Sequence, residues 1–240
     1  MIAQDLGLII NKEKSQIEPS QTILYLGIVL DSARFRASPS QERQIKCLEK
    51  VQYFLGRQKC SAREWMSLLG TLSSLEKFVS LGRLHLRPLQ HFLSRIWDRK
   101  NQEDSFSFDI PAEIKKHLSW WLNPSILGEG ISLRRKNPDL VLFSDASESG
   151  WGATLGNKEV SGSWEEGQIG WHINRKELMA IWLGLKAFKE SVAGKVVEVN
   201  SDNTTALAYI SKQGGTRSLP LYETARELLL WTKDHRVELL

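Results

Sequence analysis

The chain has 240 residues, 41% hydrophobic and 25% charged, the balance of a folded chain rather than a disordered one. Two cysteines, Cys47 and Cys60, exclude a disulfide scaffold and a four-cysteine zinc site, and no apolar run approaches the roughly 18 residues that a membrane span needs. The net charge of +4 is uneven: residues 1–138 hold 21 Lys/Arg against 14 Asp/Glu, and residues 139–240 hold 11 against 14. A basic block beside a mildly acidic one suggests a part that grips a polyanion next to a part that uses cations. The length predicts one or two domains of about 100–200 residues each. The N-terminus lacks the basic start and apolar core of a signal peptide, so the expected setting is intracellular, in cytoplasm or nucleus.

In chain order, residues 2–10 read as a helix end or a strand remnant around Leu6, Leu8, Ile9 and Ile10, followed by a polar turn over 11–15. Ile23 to Leu30 is apolar enough for one buried strand. A second short strand begins at Phe35, reached through Asp31-Ser32-Ala33. Helices follow. Ser38-Pro39-Ser40-Gln41 has a cap residue, a proline at the first helical position and a glutamine three after the cap. Ser61-Ala62-Arg63-Glu64 is a second capping box, with Trp65, Leu68, Leu69, Leu72 and Leu75 on one face of its helix. Residues 82–99 form a third helix with Leu86, Leu89, Phe92, Leu93 and Ile96 inward and Arg83, Arg87, Arg95 and Arg99 on the polar side. Residues 100–110 read as a polar linker, and Pro111 starts a short helix that buries Ile114, Leu118 and Trp121. Prolines, glycines and Arg134-Arg135-Lys136 place a boundary near 138.

Beyond it the pattern alternates. Leu140 to Phe143 runs as a strand into Ser144-Asp145. Strands follow at 151–155 and 160–164. Asn174 is read as the cap of a helix over 175–190 that carries Glu177 at its third position. A fourth strand, 195–201, ends in Asp202. Helices cover 203–212 and 219–234 around a flexible loop, and 237–240 opens a fifth strand. If the first and fourth strands are neighbours, Asp145 and Asp202 emerge side by side, and the helix brings Glu177 to the same end. Three gathered carboxylates repel one another unless a metal neutralises them. Oxygen ligands without His or Cys favour magnesium or manganese, and two such ions suit phosphodiester hydrolysis. Each acid also has a plain role: Asp145 in a turn, Glu177 in a capping box with Asn174, Asp202 capping the next helix. Trp151, Trp164, Trp171 and Trp182 fit core packing better than base stacking.

This pattern resembles retroelement ribonuclease H. Leu142-Phe143-Ser144-Asp145-Ala146-Ser147 with Gly150-Trp151-Gly152 is similar to its first strand, acid and hairpin. Asn174-Arg175-Lys176-Glu177-Leu178-Met179-Ala180 is similar to its first helix, and Val199-Asn200-Ser201-Asp202-Asn203-Thr204-Thr205-Ala206 to its third acid and following helix. Residues 209–218 (YISKQGGTRS) resemble the reverse transcriptase polyproteins of DIRS-type tyrosine-recombinase retrotransposons. Upstream, Leu6-Gly7-Leu8-Ile9-Ile10-Asn11, Tyr25-Leu26-Gly27-Ile28, Cys60-Ser61-Ala62-Arg63-Glu64 and residues 81–89 are similar to the end of the palm, the thumb and the connecting region of the same elements.

The resemblance implies a mixed α/β fold: a ribonuclease H-like mixed sheet with flanking helices, preceded by a largely helical thumb and connection. It divides the chain into a palm remnant (1–37), a thumb-like segment (38–100), a connection (101–138) and a C-terminally incomplete ribonuclease H-like domain (139–240), truncated at both ends relative to the polyprotein. It implies two-metal hydrolysis of the RNA strand of RNA–DNA hybrids by Asp145, Glu177 and Asp202 with Mg²⁺ or Mn²⁺. The alternative is an inactive nucleic-acid-binding or structural remnant. No Tyr-x-Asp-Asp motif is present, so polymerase activity is not expected. A fourth acid, or its substitute, is expected beyond the fifth strand, where the chain stops. The implied partners are an RNA–DNA hybrid or other nucleic acid and the rest of the polyprotein, with no membrane. A hybrid is recognised through shape, phosphates and 2′-hydroxyls. Asn203 and Gln213 are candidates for polar contacts to it, and Arg217, Arg175, Arg83 and Arg87 for phosphate.

Overall fold

The computed structural model describes Leu6, Gly7, Ile9, Asn11 and residues 15–240. The expected helix end or strand at 2–10 and the turn after it fall largely outside these residues. The first sheet starts at β1 (Thr22–Tyr25), β2 (Ile28–Asp31) and β3 (Arg36–Pro39), paired antiparallel in that order. The single strand expected over 23–30 is therefore a hairpin. Leu26 and Gly27 take φ of 49° and 76°, the left-handed pair that a two-residue turn requires and that Gly27 makes accessible. Leu24, Tyr25 and Leu26 are consequently exposed, and of its apolar side chains Ile28 is the one that is buried.

Helix α1 (Gln41–Leu55) begins two residues later than expected. Ser40 caps it by accepting from the Arg43 N–H, while Pro39 ends β3. Strand β4 (Lys59–Ser61) leads into α2 (Ala62–Ser73), whose capping box is complete: Ser61 Oγ accepts from the Glu64 N–H at 3.2 Å and Glu64 Oε2 from the Ser61 N–H at 2.8 Å. Helix α3 (Gly82–Ile96) follows. The stretch read as a linker is structured instead. Its β5 (Ser107–Asp109) pairs with β4, a partner nearly fifty residues away that no local pattern announces. Helices α4 (Ala112–Ser119) and α5 (Pro124–Glu129) and the short β6 (Ile131–Ser132), which joins β3, complete this half. Its core surrounds Trp65, which meets Phe54, Phe92 and Phe108 edge-on and donates Nε1–H to Leu89 O. Cys47 and Cys60 are buried free thiols there, and burial pushes them up to about 12 and about 11.

The C-terminal sheet contains β7 (Leu140–Ala146), β8 (Gly150–Leu155), β9 (Lys158–Ser163), β10 (Val196–Asn200) and β11 (Glu238–Leu239), in the order β11-β10-β7-β8-β9. The first three are antiparallel, and β10 runs parallel to both β7 and β11. The fold is the expected mixed α/β one. Helices α6 (Ile173–Ala187), α8 (Thr204–Ser211) and α9 (Leu219–Asp234) cover one face, with the short α7 (Lys189–Val192) after α6. Leu142, Leu155, Leu178, Ile181, Leu185, Val197 and Val199 fill the space between.

Helix α6 lies close on the sheet because Gly184 has no side chain. A Cβ there would stand 2.6 Å from Ala153 Cβ. Alanine gains about 1 kcal/mol of helix propensity, but overpacking costs typically 1–3 kcal/mol or more. Gly184→Ala should therefore lower stability in urea denaturation, and a more stable variant would contradict this packing.

Candidate metal and catalytic site

Asp145 is the penultimate residue of β7, and its neighbours Ser144 and Ala146 point into the protein while it faces out. Opposite it β8 places Gly152, so no cross-strand side chain stands beside the carboxylate. Asp202 follows β10, immediately before Asn203, the cap of α8. Glu177 comes from the second turn of α6 and is 4% exposed. The three acids, two exposed and one buried, each offer an oxygen, and these oxygens lie within 4.8 Å of one another. The sheet around them forms a depression lined by Phe143, Asp145, Gly152, Thr154, Asn200 and Asp202.

Burial, and then the charges of Asp145 and Asp202, push the Glu177 carboxyl up to about 7; the Ala146 backbone and Ser201 side chain offset part of that rise. Its Oε2 is buried with no hydrogen-bond partner. An orphaned buried oxygen is costly unless something supplies a positive partner. The donor set is all carboxylate oxygen, which suits a hard divalent cation. These residues therefore fit a metal site.

The start of α6 differs from the sequence reading. His172 caps it, with Nδ1 accepting from the Asn174 N–H at 3.1 Å, so Glu177 is the fifth helical residue and forms no capping box with Asn174. Asn174 is thereby free to accept, through Oδ1, from Asn203 Nδ2 at 3.0 Å, while Asn203 Oδ1 accepts from the Ala206 N–H. This bond ties the helix that carries Glu177 to the residue after Asp202. Lys176, which the sequence reading passed over, is buried beside Glu177. It donates to Glu148 O at 2.9 Å and lies 5.8 Å from the Trp164 ring centre, pinning the β7–β8 turn. A lysine directly before a helix acid was the available signal. The four tryptophans pack around Ala146, Met179 and Ala180. Trp171 also carries the Arg175 guanidinium 3.5 Å above its ring, and Arg175 Nε donates to Thr224 Oγ1 on α9.

Among the other candidates, Asn203 directly follows Asp202, and Arg175 precedes Glu177 by two residues on α6 with its side chain on Trp171 and Thr224. Arg217 is exposed and has no ion pair among the described residues. Gln213, Arg83 and Arg87 lie toward the other half of the chain. Arg83 pairs with Glu76 at 3.0 Å, Arg87 donates to Gln90 and to Lys212 O, and Gln213 accepts from the Leu84 N–H. None of the three lines the acid depression.

Residues 136–220 match the family described as RNase H-like domain found in reverse transcriptase. The chain is also similar to viral polyproteins. It is 23% identical to the putative enzymatic polyprotein of Cassava vein mosaic virus over 89% of its length, covering 32% of that protein. It is 25% identical to the enzymatic polyprotein of Figwort mosaic virus, with the same two coverages. The chain thus spans about a third of the length of the relatives it matches. Among solved structures it is similar to the foamy viral protease-reverse transcriptase in complex with dsDNA, at 16% identity and a TM-score of 0.39, over 92% of this chain and 44% of that one. The same viral protein in complex with RNA/DNA hybrid gives 15% identity and a TM-score of 0.38, over 91% of this chain and 29% of that one. The sequence matches support a reverse transcriptase–RNase H region of a retroelement.

The raised Glu177 pKa carries a sign. A carboxyl that holds its proton more tightly when folded loses stability as pH climbs from its ordinary value near 4.5 to about 7. Glu177→Gln should therefore stabilise the metal-free protein at pH 8, by on the order of 2–3 kcal/mol, and by little at pH 4.5. Denaturation curves at the two pH values check this. An equal effect at both would show that the carboxyl is not strained.

Proposed function

We propose that this chain hydrolyses the RNA strand of RNA–DNA hybrids as the ribonuclease H part of a retroelement reverse transcriptase, with Asp145, Glu177 and Asp202 as the metal-holding residues. The observation that carries the reading is the convergence of three carboxylates, one of them buried and unpartnered, at the ends of two parallel strands. Magnesium, or manganese, is the ion such a set favours. When bound, a pair of divalent ions supplies a polarised attacking water and countercharge for the departing 3′ oxygen.

The protein's own residues do the rest. Asp145 and Asp202 face solvent, where a phosphodiester can reach them, and Glu177 closes the site from beneath. The Asn174–Asn203 bond holds α6 and α8 in register, so the three oxygens keep their spacing. Arg175, fixed on Trp171 and Thr224 near the start of α6, is assigned to a phosphate of the bound strand, whose fork of oxygens a guanidinium matches. The sheet depression is a shallow surface on which a duplex backbone can lie, consistent with reading by shape and phosphate rather than by base. In the same reading, residues 1–37 are the end of a palm, 38–100 a thumb, 101–138 a connection and 139–240 the nuclease domain, and the resemblance of YISKQGGTRS to DIRS-type polyproteins favours that group.

The test is cleavage of a labelled RNA–DNA hybrid by the purified chain in Mg²⁺, beside Asp145→Asn. The parent should cut the RNA strand. The variant should lose more than the roughly 100-fold that removing a mere partner of a metal ligand costs. A parent that binds hybrid but cuts nothing would replace this reading with an inactive binding module. Equal cutting by both proteins would place the chemistry elsewhere.

A further inference from the structure

Helix α3 belongs to two cores at once. Leu86, Leu89 and Leu93 fill the helical half, while Leu84, on the same helix and fully buried, packs among Leu142, Leu178 and Tyr222 of the nuclease half. The backbone of Leu84 is equally divided. As the third residue of the helix, its N–H has no intrahelical acceptor, and Gln213 Oε1 takes it at 3.2 Å. Its carbonyl would ordinarily receive the N–H of residue 88, but that residue is Pro88, which has none. The Tyr222 hydroxyl donates to it instead at 3.2 Å. Two orphaned groups of one residue are thus satisfied by the nuclease half and by nothing in α3 itself. One turn on, Arg87 Nη2 donates to Lys212 O at 3.3 Å.

All these partners bracket one loop, residues 212–217. The loop is shaped to receive them. Gln213 and Gly214 have φ of 53° and 89°, and a side chain at 214 would collide with Tyr222 Cδ2 at 2.8 Å. It leaves α8, which starts beside Asp202 and extends about 12 Å at 1.5 Å per residue. It enters α9, whose Thr224 accepts from Arg175 near the start of α6. The loop therefore joins the helix that follows Asp202 to a helix bonded to α6, which carries Glu177, and its exposed cations are Lys212 and Arg217.

We propose that the helical half sets the grip of the nuclease half on nucleic acid, with Gln213 and Arg87 as positioning residues that hold loop 212–217 and Arg217 as the phosphate contact they aim. Gln213 then acts through Arg217 and not by touching the ligand. This rests on the hybrid-binding reading above, but it needs no cleavage to be tested.

The experiment is a double-mutant cycle on hybrid affinity, read by fluorescence anisotropy without divalent metal, using parent, Gln213→Met, Arg217→Ala and the double variant. Gln213→Met should weaken binding five- to tenfold, and the double variant should bind no more weakly than Arg217→Ala alone. Amide exchange should quicken at Leu84 and across 212–217 in Gln213→Met, and Gln213→Glu, which keeps the acceptor oxygen, should restore slow exchange at Leu84. Arg87→Met serves as a second lesion if Gln213→Met unfolds. In cleavage assays the loss should fall in KM rather than kcat. Additive effects in the cycle, or a parent that does not bind hybrid, would overturn the proposal. A parent that binds with the expected cycle but does not cut would count against the nuclease reading alone.

Discussion

The parallel pairing of β7 with β10 is the constraint on which the site depends. Its register sets Phe143 opposite Asn200. Two residues further along each strand direction come Asp145 and Asp202, so the two acids arrive level at the same edge without any bond between them. Parallel neighbours need a crossover to return the chain, and here the intervening hairpin and α6 supply it. Gly184 lets α6 lie close against Ala153, and that close approach delivers Glu177 beneath the two aspartates. The backbone does the gathering, and the carboxylates are brought together against their mutual repulsion. The resulting strain is visible in Glu177, which takes up a proton well above the ordinary carboxylate range and leaves one buried oxygen unpaired. Perturbed carboxyls gathered at one edge of a sheet are the physical mark of a candidate functional site.

A second dependence joins the halves. One helix furnishes leucines to both hydrophobic cores, and a proline within it exposes a carbonyl that the C-terminal half satisfies. A Pro inside a helix usually costs a hydrogen bond and gains nothing. Here the freed acceptor makes a contact across the seam. The contact is specific because an ordinary helix would offer no such group, and it makes the placement of the loop after α8 a property of the whole chain rather than of one domain.

Much of this was legible in the sequence, and the misses have physical causes. The three acids and the order of elements along the C-terminal half could be read because each is set by a local pattern: apolar strands ending in Asp, and a 3.6-residue apolar stripe on the helix that carries Glu177. The β1–β2 hairpin was hidden because its turn needs left-handed backbone at Leu26, a residue that gives no turn signal. Strand β5 was hidden because short polar strands exist only through a distant partner, here β4. At α6 a histidine did the work expected of Asn174, and that exchange released Asn174 to reach Asn203. In the sequence Gln213 and Arg87 read as contacts to nucleic acid. Only the fold shows that their partners are backbone atoms of the other half.

The central claim is that Asp145, Glu177 and Asp202 form one divalent-metal site, and calorimetric titration of the full chain with Mn²⁺ tests it most directly. The account predicts saturable binding at pH 8. It also predicts weaker binding at pH 6, where Glu177 holds its proton, with release of nearly one proton per ion bound. Binding that is absent at millimolar Mn²⁺, or that is indifferent to pH across this interval, would contradict it.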